Sequence, residues 1–143
     1  MRAKSTQEIE TKLTAHVKQS VNMQERLKSI VEKWAPIVGE LGWTLVPIWV
    51  GLHADMPEGT EKNANAIVFC DWKYLKASIY FSLENLVYED TGRIEWSVVH
   101  EIVHCLVEPL LEAAPGIPSH MVEHTVSAIT NAMLCAERIG ESK

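Results

Sequence analysis

Basic residues are in short supply: 13 Lys and Arg stand against 19 Asp and Glu, a formal net charge of −6. Such a chain has no electrostatic footprint for phosphate backbones or anionic lipid, so neither nucleic acid nor a membrane surface is an expected partner. Long apolar runs are missing too, and no segment approaches the roughly 18 residues that a span requires. The opening stretch MRAKSTQEIETKLTAHVKQS has basic residues but no apolar core and no small-residue cleavage pattern, which reads as an intracellular, cytoplasmic protein. Cysteine is sparse. Cys70, Cys105 and Cys135 are an odd number in apolar surroundings, with no close CxxC pair, which predicts buried free thiols in place of a disulfide framework or a cysteine zinc site.

What remains is one domain's worth of ordinary globular sequence, 143 residues with 47% apolar and 22% charged side chains. From about residue 6 to 41 the apolar residues Ile9, Leu13, Val17, Val21, Leu27, Ile30, Val31 and Trp34 recur at threes and fours, the helical period. The register slips near Ser20 to Met23, where Asn22 is a candidate cap, so two helices or one bent helix are both open; Pro36 or the glycines Gly39 and Gly42 would kink or end it. Residues 1–21 read as an N-terminal helical arm and 22–143 as a single domain. The bland reading of the arm is a solvated helix, and the sharper one is a homo-oligomer or partner contact.

WTLVPIWV (43–50) and NAIVFCDW (65–72) are short, rich in aromatic and β-branched residues, and read as strands. Pro47 cannot donate to a ladder, so its strand belongs at an edge or a bulge. HADMPEGTEKNA between them has loop chemistry and is expected to be mobile. KASIYFSL (76–83) alternates Lys76, Ser78, Tyr80 and Ser82 against Ala77, Ile79, Phe81 and Leu83, a half-exposed strand with a free edge that an extended peptide could pair. Two helices follow, about 93–107, which Pro109 would kink or stop, and about 119–137, with Ser119 as cap.

The first of these is nearly all apolar, yet Arg93, Ser97, His100, Glu101, His104, Glu108 and Glu112 fall within one sector of about 120°. Buried polar groups must find partners. His100 and His104 sit one turn apart on that face, where two imidazole nitrogens reach a single divalent ion, and Glu101 lies beside them; this is the HExxH arrangement. Catalytic zinc takes three protein ligands and leaves a fourth position for water. The last helix has its own stripe of His120, Glu123, Ser127, Thr130 and Asn131. Its Glu123 is the leading third ligand, with His124 and His120 as alternatives. Trp34, Trp43, Trp49, Trp72 and Trp96 read as core, and His16 and His53 as solvent-facing.

The sequence His100-Glu101-Ile102-Val103-His104, followed by eighteen residues and then Glu123, resembles the gluzincin type of zincin metallopeptidase. The layout of helix, small sheet and two site helices is similar to compact single-domain zincins of bacteriophages and prophages, which would place the protein in a phage's host cell. The resemblance implies an α+β zincin-like fold, with a small, mostly antiparallel three-stranded sheet whose edge strand is exposed. It implies zinc held by His100, His104 and Glu123, with a peptide or protein substrate and Glu101 as general base. It also implies a supporting hydrogen bond from Ser127 to a ligand histidine, beside which Glu108 is placed to brace the site. Tyr80, Tyr88, His53, His120 and His124 are the candidate oxyanion donors. Val107 and Leu110 stand where the metzincin pattern needs Gly and His, which excludes that class. The rival is a metal-binding regulatory or interaction protein that has this core without significant turnover; a metal-dependent ribonuclease is weakened by the acidic balance.

Overall fold

A computed structural model describes residues 2–143, and their side chains from residue 6 onward. It is an α+β structure with four α-helices and one three-stranded mixed sheet. Helix α1 (Arg2–Gly39) runs unbroken through the place where the apolar register slips, with Pro36 inside it. The slip has a cause other than a bend. From Thr6 to Asn22 the side chains are exposed or, at Ser20, half-buried, whereas from Met23 the helix buries Met23, Leu27, Val31, Trp34 and Val38 at spacings of four and three. α1 ends in a turn at Gly42, whose φ of +89° suits glycine, and where an added Cβ would lie 3.1 Å from Leu75 Cδ1.

The strands are β1 (Thr44–Val50), β2 (Ala66–Asp71) and β3 (Lys76–Ser82), in the spatial order β1-β3-β2. β3 is therefore the centre of the sheet and not its free edge. Its alternation reports that one face is covered, by burial of Ala77, Ile79 and Phe81, and carries no information on whether both edges are paired. Nor is the sheet mostly antiparallel: β3 pairs with β2 antiparallel and with β1 parallel, because the chain leaves β1, crosses to the far edge for β2, and returns between them. β1, with Pro47, is an edge strand, as the missing N–H requires.

A short helix α2 (Leu83–Leu86) follows β3 directly, capped by Ser82, whose Oγ accepts from Asn85 N–H. Helix α3 (Thr91–Ala113) starts at Asp90, which accepts from Arg93 N–H at 2.8 Å, and continues four residues past Pro109, which was expected to stop or kink it. Helix α4 (Ser119–Glu141) takes Pro118 as its cap, so Ser119 is its first helical residue and not the cap. Ile94, Val98, Val99, Ile102 and Val103 of α3 are fully buried against α1 and the sheet. Lys33 on α1 ties the helices at the surface through Glu95 on α3 and Glu137 on α4. No helix among the described residues is long and apolar enough to cross a membrane.

Phe81 is fully buried at the middle of this core, with its ring 5.4 Å from that of Trp49. Phe81→Ala is expected to cost about 3–5 kcal/mol, read as a lowered denaturation midpoint at unchanged slope.

Candidate metal centre

α3 lies beneath the sheet with β2 across its polar stripe, while α4 packs alongside. Three donor side chains converge there. His100 Nε2 is 3.2 Å from Glu123 Oε2, His104 Nε2 is 3.3 Å from Glu123 Oε1, and the two Nε2 atoms are 3.3 Å apart. Hydrogen bonding alone cannot satisfy these three contacts. If both imidazoles donate to Glu123, two N–H groups face each other across the third contact, and if one does not, a contact to the carboxylate is lost. A tetrahedral ion with ligands at about 2.0–2.1 Å has ligand-to-ligand edges of about 3.3 Å, which matches the separation of the two Nε2 atoms, and Glu123 holds one oxygen at a similar distance from each of them. His100, His104 and Glu123 form the one His/Cys/Asp/Glu group among the described residues whose donor atoms could hold a metal ion.

The electrostatics suit a cation. Burial pushes the pKa values of His100 and His104 below the ordinary histidine value, and for His100 the neighbouring His104 adds to this; in both the opposing pull of Glu123 is the smaller effect. Both rings are therefore neutral at pH 7, with lone pairs available as ligands, and their contacts to Glu123 are not ion pairs. The Glu123 side chain is 57% exposed, so the group opens to solvent on one side. Glu101 is buried, and desolvation, with the Glu123 carboxylate adding, pushes its pKa up to about 8 against a stabilising hydrogen bond from the Val68 backbone N–H on β2. The free edge of β2 thus faces the site and touches its acid.

The group lies in a cleft of about 510 Å³ lined by Ala66 and Ile67 of β2, by Ser119 of α4, and by Gly59, Thr60, Glu61 and Ala64 of the loop between β1 and β2. That loop is not loose. His53 donates its backbone N–H to Glu84 at 2.6 Å, and its ring lies 3.0 Å from Ser82 Oγ and 2.9 Å from Glu61 O. Asn85 Nδ2 donates to the carbonyls of Lys62 and Ala64. Met56 is buried beneath. His53 is thus a half-buried clamp that holds the loop, set back from the cleft lining, and not a solvent-facing residue. Removing the ring in His53→Ala should speed amide exchange over residues 59–64 by about tenfold, as expected for the loss of roughly 1.4 kcal/mol of local protection.

Other expected site residues lie elsewhere or do less. Ser127 is half-buried and, among the described residues, makes no hydrogen bond to His100 or His104, so the supporting bond is not formed. Glu108 contacts none of the three donors; burial, and then Glu112, raises its pKa. His120 and His124 are exposed on α4 and do not line the cleft. Tyr88 is 88% exposed. Tyr80 projects from β3 on the side opposite Ile79 and Phe81 and packs edge-on against Phe69, which also removes it from the cleft. The cysteines are free, but only Cys105 is fully buried; its Sγ lies 3.6 Å from that of half-buried Cys70, and Cys135 is exposed.

One contributor went unread. Trp96, assigned to the core, stacks on the His100 ring at 4.6 Å and 26°, and donates its indole N–H to Asn131 Oδ1 on α4 at 2.8 Å. The signal was present, since Trp96 precedes His100 by one turn and so shares its face. Through this contact α4 orients the ring of His100, whose buried Nδ1 has no hydrogen-bond partner among the described residues.

No protein-family model, curated protein or solved structure matches the chain.

Proposed function

We propose that this chain is a zinc-dependent peptidase, in which His100, His104 and Glu123 hold the ion and Glu101 is the general base. The observation that carries the reading is the convergence of His100, His104 and Glu123, through three contacts of 3.2–3.3 Å, beside a buried carboxylate that is not part of the group. A site that only bound metal would need that group and would have no use for Glu101. Two neutral imidazoles and one carboxylate, open on one side, are the donor chemistry of catalytic zinc; zinc there would supply a Lewis acid that polarises a carbonyl and lowers the pKa of water.

The chain's own residues do the rest. Glu101, held by Val68 N–H and shielded from bulk water, accepts a proton from the attacking water and passes it to the departing amine. Its apolar surroundings make it a stronger base than an exposed carboxylate, which suits a group that first accepts a proton and then returns it. The exposed edge of β2 and the clamped loop enclose a cleft of the right size for a short extended segment of peptide. Trp96 and Asn131 keep the imidazole of His100 in the plane that points its Nε2 at the other two donors.

A second reading, a metal-binding interaction protein without turnover, is favoured by one observation: none of Tyr80, Tyr88, His53, His120 and His124 lines the cleft. A single experiment separates the two. The zinc-loaded chain is incubated with a mixed peptide library and the products are read by mass spectrometry, with and without chelator. New termini that disappear with chelator and return with zinc support the peptidase. Zinc bound at about one per chain with no cleavage leaves the second reading standing.

A further inference from the structure

The N-terminal seventeen residues of described side chain, 6–22, lie outside the core, and Ile9, Leu13, Val17 and Val21 on them are between 53% and 64% exposed. They repeat every four residues, so they form one stripe that drifts by about 40° per step around α1. The segment is also a poor helix on its own merits. It holds Ile9, Thr11, Thr14, His16, Val17, Val21 and Asn22, all weak helix formers, and a helix of this length without tertiary packing is marginal in water. A helical arm with an uncovered apolar stripe needs something to lie against it.

We propose that residues 6–22 form an antiparallel two-helix contact with a second copy of this chain, Ile9 packing on Val21 of the partner subunit and Leu13 on Val17 of the partner subunit. The stripe is self-complementary in this register, because its four members are evenly spaced and reverse onto themselves. Charge selects the direction. Glu10 lies beside the stripe, and Lys18 lies on the same flank two turns on. Antiparallel pairing brings like flanks together and so sets Glu10 near Lys18 of the partner subunit, whereas parallel pairing would place the two copies of this flank on opposite sides of the contact and leave the pair unmade. The domains select the same direction. Burial begins at Met23, directly after the arm, so parallel arms would force two domains into the space at one end, while antiparallel arms place them at opposite ends. Four apolar residues per helix is a small contact, and the association is a weak one, in the micromolar range.

Sedimentation equilibrium of the full chain, from about 5 to 200 µM, reads this directly. The mass should rise from the 16.1 kDa of one chain toward twice that value. Leu13→Glu, at an exposed position that leaves the domain intact, should raise the dimer dissociation constant by about 100-fold or more. Lys18→Glu should weaken association about tenfold, and the double variant Glu10→Lys with Lys18→Glu should restore it. A wild-type chain that stays at the monomer mass throughout, or one whose self-association Leu13→Glu leaves unchanged, would overturn the proposal. Failure of the double variant to recover would overturn the antiparallel register.

Discussion

Glu101→Gln should leave about one zinc ion per chain in place and lower peptide hydrolysis by about 100- to 10,000-fold, the range in which a positioned proton acceptor contributes. Gln is close to Glu in shape and retains an oxygen that can accept the Val68 N–H, so the cleft keeps its form while the proton acceptor is lost. The comparison is made on the zinc-loaded protein, with metal content measured on the same sample. Unchanged hydrolysis at full metal occupancy would remove Glu101 from the chemistry. The same substitution has an opposite effect on the metal-free chain. There Glu101 has its pKa raised from 4.5 to about 8, so the folded state holds a proton that the unfolded state releases between those values. Stability contributed by this group is therefore present at low pH and is lost as pH rises toward 8. Chelated Glu101→Gln should be the more stable protein at pH 9, by something on the order of 5 kcal/mol, with the advantage vanishing near pH 4; paired denaturant titrations across that range measure it. A carboxylate that costs the metal-free fold stability in this way is what the proposed role of Glu101 requires.

The second large effect concerns the donors themselves. His100→Ala and Glu123→Ala are each expected to reduce zinc content after dialysis from about one ion per chain to near zero, since two remaining donors do not make a catalytic zinc site. The two variants should differ in what else they change. Glu123 is more than half exposed and belongs to a helix held by Val126, Thr130 and Leu134, so its removal should spare the fold. His100 is buried under Trp96, and replacing it with Ala leaves a void beside an indole, which should also lower the melting temperature. Full zinc occupancy in Glu123→Ala would mean that another side chain completes the site. His120 and His124 would then be the first to substitute in turn, because both are on the same helix.

Much of this site could be read without coordinates because its parts are spaced by a helix. His100 and His104 are four apart and must share a face, and the polar stripe that includes Glu123 lies on a helix whose other positions are apolar enough to require packing. The supports were less legible, and for different reasons. Trp96 looked like core because an indole satisfies the apolar pattern equally well when it is packed against an imidazole. Ser127 was placed by position on its helix, but a hydrogen bond depends on side-chain direction to within tenths of an ångström, which spacing does not supply. The loop from Gly51 to Asn65 has the composition of a mobile segment. It is held by His53 and Asn85, whose partners are backbone carbonyls that sequence does not distinguish. The sheet was misread at β3 for a general reason. Alternation describes the two faces of a strand, whereas position within a sheet depends on which edges are paired, and the pairing here joins residues more than thirty apart in sequence, such as Thr44 with Lys76.

The unbroken course of α1 has a hydrodynamic consequence. A compact chain of 143 residues has a radius of gyration of about 15 Å, equivalent to a sphere roughly 37 Å across, whereas a 38-residue helix is about 57 Å long. With its far half buried in the domain, α1 makes the molecule a globule with a rod attached, and its drag exceeds that of a sphere of equal mass. A single chain should therefore elute from a sizing column ahead of globular standards of its own weight and imitate a dimer. Its scattering profile should show a maximum dimension well beyond the globule, so association has to be judged from mass and not from elution.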